Sequence, residues 1–568
     1  MRLLALTLLW CGASLFAQDY FPENDGVKSK NNNYTAFTNA KIYVTPTQII
    51  EQGTLLIQNG KVVQVGKSVS LPKNTVTIDL DGKTIYPSFI DVYSDFGVSK
   101  PKRAEGSGRS PQYEATREGH YWNDHIMPGN NAVGKFKYDD KKAKELRQAG
   151  FGVVNSHIQD GVARGTGVLI ALNGQGDDSQ RIIDDRSGQY FSFDRSVTSR
   201  QSYPSSLMGA MALLRQMYID ADWYAKGNVT TKDRSLEALN ANKDLIQIFA
   251  AGDKGNILRA DGIGDKNGIQ YTLLGGGDEY EAIAAIKNTN AKLILPLNFP
   301  DAYDVSNPYQ ALYVPLEDMR HWNQAPANPR ILADNGVVFS FTLDGLKSPA
   351  KLKDKLQKAI TYGLSKTKAL EALTTVPAQI LGQSSKIGSL RPGSYANFLI
   401  ASGDIFDKNT TVYENWVQGT KNVIKDMSLK DIRGEYVLSA ASNAFTLSIT
   451  GEAGKPKAEV KQDTVKLKSK FSYKNGWVEL SFADKDKKNY RLTGLVIKAS
   501  DNFSGKAALP NGNESTFTAT KTAPFTEKEK KDKEENGKPE LVPVRFPNIA
   551  YGYESIPKAE NMLFKNAT

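Results

Sequence analysis

The chain has only four histidines, His120, His125, His157 and His321. His120 and His125 lie five apart, which is not a one-face helical spacing, and their neighbours Tyr121 and Trp122 suit a packed loop. His321 precedes Trp322 and reads as structural. His157 follows the apolar run Gly150–Asn155, Asp95 follows Phe89–Val92, and Asp344 follows Val337–Thr342. Imidazole and carboxylate at three strand ends can hold a divalent ion, whose open position binds water and lowers its pKa. An aspartate beside it then takes the proton. Asp344 also precedes Gly345, and Asp-Gly is a strong turn dipeptide, so both roles stay open. Other chemistries lack their residues. No serine sits in a Gly-x-Ser-x-Gly elbow. Gly161-Val162-Ala163-Arg164-Gly165-Thr166-Gly167 has neither the lysine nor the helix of a phosphate loop.

The elements that would position these groups are legible in places. Thr54–Gln58 and Lys61–Val65 flank Asn59-Gly60, a two-residue hairpin signal, and Asp81-Gly82 turns the strand Val76–Leu80. Gln270–Leu274 runs into Gly275-Gly276-Gly277, where close packing explains the glycines better than phosphate binding does. Asp278 is then expected to cap a helix, which gives way to Lys292–Leu297 and makes one βαβ unit. Ser365 is expected to cap another helix, and Gly382 to stop the one after Pro377.

The run Pro87-Ser88-Phe89-Ile90-Asp91-Val92-Tyr93-Ser94-Asp95 resembles the first barrel strand of the amidohydrolase superfamily, where it usually reads Pro-Gly-Phe-Ile-Asp-x-His-x-His. Ile387–Ile400 and Ala369–Ala378 resemble that family's return to its sandwich and its closing helices. The resemblance spans about residues 34–427. It implies a (β/α)8 TIM-like barrel with an amidohydrolase-type β-sandwich built from the flanking segments, one or two divalent ions at the strand tips, and hydrolysis of C–N bonds in cyclic amides or dipeptides. The first-strand histidine positions carry Tyr93 and Asp95, and the strands ending at Ala250 and at Gly275–Asp278 have no histidine. Only Asp344 stands where the family's catalytic aspartate would be.

At 568 residues the chain should hold several units. The expected divisions are a signal peptide at 1–17, a flexible leader at 18–33, a first sandwich half at 34–85 and the barrel at 86–383. A second sandwich half at 384–440, a small β domain at 441–523 and a charged linker at 524–559 follow. Residues 560–568 share Phe-x-Asn-Ala with the opening strand and read as the start of a second amidohydrolase unit. Met1-Arg2 followed by Leu3–Trp10 reads as a secretory signal, which places the protein in the periplasm or outside the cell. The lone cysteine, Cys11, falls within that signal, so no disulfide is expected. The net charge of +10 comes from dispersed or glutamate-mixed lysines, which argues against a nucleic-acid partner. No later stretch suits a membrane span.

Three functions follow. In the first, the unit has lost its metal, needs no cofactor, and supports an active second unit or a homodimer. In the second, it is a mononuclear hydrolase with zinc on Asp95, His157 and Asp344, acting on a small molecule or dipeptide. In the third, the vacant mouth binds a peptide or sugar.

Overall fold

The structure, a computed structural model, describes residues 33–105, 117–227, 230–427, 430–452, 454–497, 500–525, 539–549 and 551–566. The expected signal, nearly all of the leader and most of the lysine/glutamate run lie outside the described residues.

Five strands open the chain: β1 (Thr35–Tyr43), β2 (Ile49–Gln58), β3 (Lys61–Gly66), β4 (Val76–Asp79) and β5 (Thr84–Pro87). Asn59 and Gly60 both take positive φ, 50° and 75°, so the β2–β3 turn has the left-handed pair its dipeptide favours.

The central α/β body follows, with β6 (Phe89–Ser94), β7 (Phe151–Ser156), β8 (Ala163–Thr166), β9 (Val168–Ala171), β10 (Ile182–Asp184), β11 (Gln189–Ser192), β12 (Gln247–Ala250), β13 (Thr272–Leu274), β14 (Leu293–Pro296) and β15 (Phe339–Thr342). They form two sheets, ordered β10-β9-β7-β6 and β15-β14-β13-β12-β11-β8. Ladders β6–β7 and β11 through β15 are parallel. Here an all-parallel expectation needs correction. β9 runs antiparallel to β7, and β8 antiparallel to β11. The short connection from Ser156 to Ala163 explains this, because a parallel crossover takes a dozen or more residues. The two antiparallel steps cancel, so β7 and β11 point the same way. The C-terminal ends of β6, β7 and β11–β15 therefore share one side, and the start of β8 joins them there.

Ser365 caps its helix as expected, accepting from Lys368 N–H at 3.2 Å. Asp278 does not cap its own helix. Its carboxylate instead accepts from Lys254 N–H at 2.9 Å and Lys254 Nζ at 3.1 Å. Of the glycines before it, Gly276 is a steric necessity, since a Cβ there would collide with the carbonyl of Gly252.

β16 (Phe398–Ala401), β17 (Val412–Val417) and β18 (Thr420–Val423) return to the opening strands. β16 pairs antiparallel with β5, giving one eight-stranded sheet from both flanks of the body. Phe398 stacks on Trp416 at 5.6 Å and Phe37 meets both edge-on at 5.0 Å. Burying each of these rings is worth about 2–3 kcal/mol, which adds to the β16–β5 ladder in joining the two flanks.

A nine-stranded antiparallel sheet runs from β19 (Gly434–Ala440) to β27 (Glu514–Pro524). Tyr436, Leu438 and Ala440 face its core while Val437 is exposed, the period-2 alternation of a strand with one buried face. β19 pairs with β27 and with β20 (Asn443–Glu452), so this unit begins at 434 rather than at 441. Part of the expected linker is docked, not loose. Asn548 is buried and donates to Gln324 Oε1 at 2.8 Å, and Val544 packs against the main core. Residues 560–566 form no strand.

Candidate functional site

A cavity of about 310 Å³ opens at the shared C-terminal side, between the ends of β6 and β15 and the helix Asp140–Gln148. Asp91, Tyr93, Asp95, Lys100, Glu145 and Asp344 contribute to its wall. Asp91 is buried and accepts from the Thr342 hydroxyl at 2.7 Å, Tyr93 N–H at 3.1 Å and Leu343 N–H at 3.3 Å. Burial nevertheless pushes its carboxyl up to about 7, with the charge of Asp344 adding to the rise. Asp344 is half-buried. Burial and then Asp95 push its carboxyl up, opposed by Arg164 and Lys100. Asp95 is more exposed and lies 3.6 Å from Lys100 Nζ.

Tyr93 turns away from ligation. Its buried phenol oxygen accepts from Arg164 Nη1 at 2.7 Å, and its ring meets His157 edge-on at 4.6 Å. His157 in turn lies flat on Tyr190, ring centroids 3.6 Å apart. Among the described residues neither imidazole nitrogen has a hydrogen-bond partner. Burial, reinforced by the charge of Arg164, holds His157 well below its ordinary range, so the ring is neutral at physiological pH. Arg164 is itself buried, with Nε donating to Gly161 O at 3.2 Å and Nη2 to Asp194 Oδ2 at 3.2 Å. The next residue must be glycine. Gly165 has φ +92°, and a Cβ there would run into the Asn130 carbonyl.

These placements correct the proposed Asp95/His157/Asp344 ion site. Asp95 and Asp344 do share the cavity wall, but His157 is packed between Tyr190 and Tyr93 and is not part of that wall. Among the described residues, no group of three or more His, Cys, Asp or Glu is placed to hold a metal ion. The donor set therefore does not fit a metal centre. The other histidines are engaged elsewhere. His125 Nδ1 accepts from Ser196 N–H at 3.0 Å, His120 Nδ1 meets Glu118 O at 3.0 Å, and His321 Nδ1 meets the Tyr280 hydroxyl at 3.1 Å. No helix among the described residues is long and apolar enough to cross a membrane.

Sequence reasoning missed Arg164 and Asp91. Arg164 was visible only as the one charged residue within the glycine-rich run Gly161–Gly167. Asp91 was visible as the aspartate of the first-strand motif.

Residues 281–437 match the amidohydrolase family. An amidohydrolase from Thermotoga maritima MSB8 superimposes with a TM-score of 0.54 at 21% identity, covering 68% of this chain and 99% of its own. A prolidase complexed with N-methylphosphonate-L-proline (15% identity, TM-score 0.42) and a Xaa-Pro dipeptidase with bound methionine (14%, 0.42) each cover 69% of this chain and all of their own. No curated protein matches the chain. Residues 281–437 thus match the amidohydrolase family, and the chain shares its fold with the Thermotoga maritima amidohydrolase.

Proposed function

We propose that this chain is an exported amidohydrolase-fold unit that does not carry out metal-assisted hydrolysis. In this reading the two body sheets join through Gly167 into a barrel of eight staves, one of them the antiparallel β8–β9, with the cavity at its mouth. The observation that carries the proposal is Tyr93. The residue at the family's first ligand position is a buried phenol bonded to a guanidinium. A phenol so engaged already spends acceptor capacity on a guanidinium, and that fixed positive charge repels an ion beside it. The test is metal analysis of the purified full chain together with an amide and dipeptide hydrolysis assay with and without chelator. The expected result is no stoichiometric ion and no chelator-sensitive turnover; either one would remove the proposal.

The open cavity favours a second reading alongside the first. The mouth still holds a small molecule without cleaving it, beside an active partner unit or a second copy of the chain. A thermal-shift screen with dipeptides and small sugars separates the readings, because a bound ligand raises the melting temperature by mass action. No shift at millimolar ligand would leave only the supporting role.

A further inference from the structure

We propose that Arg164 is the resident cation behind this mouth, fixing Tyr93 in the cavity wall and balancing carboxylates at the strand tips, a charge role that a divalent ion would otherwise fill. The inference rests on the metal-free reading above and adds to it what replaced the ion.

Topology supplies the first argument. A parallel stave would present its C-terminal end to the mouth, but β8 runs antiparallel, so its second residue, Arg164, arrives there instead. Geometry supplies the second. The side chain is 5% exposed and three of its N–H groups are spent, on Gly161 O, Tyr93 Oη and Asp194 Oδ2. A buried guanidinium so tied is positioned rather than stranded. Its field is the third. Among the groups at the strand ends it favours the charged forms of Tyr93 and Asp344 and disfavours that of His157. A guanidinium cannot be chelated away or deprotonated in a protein. It also offers no open position for water, so positive charge is kept without a metal-bound hydroxide. Arg164 is on this account a positioning residue.

The test uses the full chain carrying Arg164→Ala, Arg164→Lys or Arg164→Gln, with thermal melting as the readout. Removing the buried guanidinium, whose bond to Tyr93 is buried while its partner Asp194 is exposed, should lower the melting temperature by roughly 3–6 °C. Methylguanidinium at tens of millimolar should recover at least half of the loss in Arg164→Ala, while equal sodium chloride, urea or zinc should not. Arg164→Lys should melt several degrees above Arg164→Gln, and this pair decides the matter if Arg164→Ala does not fold. Three results overturn the inference: Lys and Gln variants that melt alike, an alanine variant within a degree of wild type, or recovery by zinc but not methylguanidinium. A stoichiometric ion in the wild-type chain would instead remove the metal-free reading itself, so the two failures are distinct.

Discussion

β15 has two different neighbours. Toward β14 it forms a ladder of four rungs, Leu293↔Phe339 to Pro296↔Thr342. Toward β6 the strands pack together, but no ladder joins them among the described residues. That seam is stitched by side chains: the Thr342 hydroxyl lies 2.7 Å from Asp91 Oδ1 and 3.0 Å from Tyr93 O, and Leu343 N–H reaches Asp91 Oδ2 at 3.3 Å. A ladder depends on backbone alone and is indifferent to most substitutions and to pH. The stitched seam depends on one buried carboxylate. The part of the fold beside the cavity is therefore the part that side-chain identity and protonation control.

Breaking the stitch should show the largest effect. Asp91→Ala leaves the N–H groups of Tyr93 and Leu343 without their acceptor and the Thr342 hydroxyl with Tyr93 O alone, and should cost about 3–5 kcal/mol in a guanidinium chloride unfolding experiment. Hydrogen exchange should rise in β6 before it rises in β14. A loss below about 1 kcal/mol would mean that packing, not the carboxylate, holds the seam.

The pH dependence has a definite sign. The folded-state carboxyl of Asp91 lies near 7, above its ordinary value of 3.8. Between those values the folded protein holds a proton that the unfolded chain has released, so stability falls as pH rises through the window. Asp344 is raised in the same direction and adds to the slope. Relative to Asp91→Asn, the wild type should lose up to about 4 kcal/mol between pH 4 and 8. Parallel curves for the two proteins would show that Asp91 ionises as freely as it does in the unfolded chain. Thr342→Val, which removes one stitch and keeps the shape, should cost about 1–2 kcal/mol at either end of that range.

The sequence disclosed much of what is set by local chemistry, though not that Asp278 would turn to Lys254. Asn59-Gly60 forces a left-handed turn pair, and Ser365 offers a cap oxygen to a following N–H. The loss of histidine at Tyr93 and Asp95 was equally legible, because vacant positions can be counted along a strand. What fills the vacancy could not be counted. Arg164 reaches Tyr93, 71 residues away, only because β8 reverses direction. Nothing in the spacing says that His157 will lie on Tyr190 instead of facing the cavity. Long-range placement decided these points, and one chain without its fold does not encode it in any short pattern.

The smallest effect sharpens the contrast most, because it falls on the same strand. Ser340 lies two residues before Thr342 in β15, fully buried, and its hydroxyl has no hydrogen-bond partner among the described residues. An unpaired buried hydroxyl carries a desolvation cost that folding does not recover. Ser340→Ala removes that cost together with one oxygen atom's packing, and the two terms oppose each other. The net change should lie within about 0.5 kcal/mol of zero, toward stabilisation. Thr342→Val removes a hydroxyl from the same strand and should cost several times more, because that hydroxyl is spent on Asp91. If both variants lost stability equally, β15 would be responding to lost volume, and the Asp91 stitch would hold no special place in the seam.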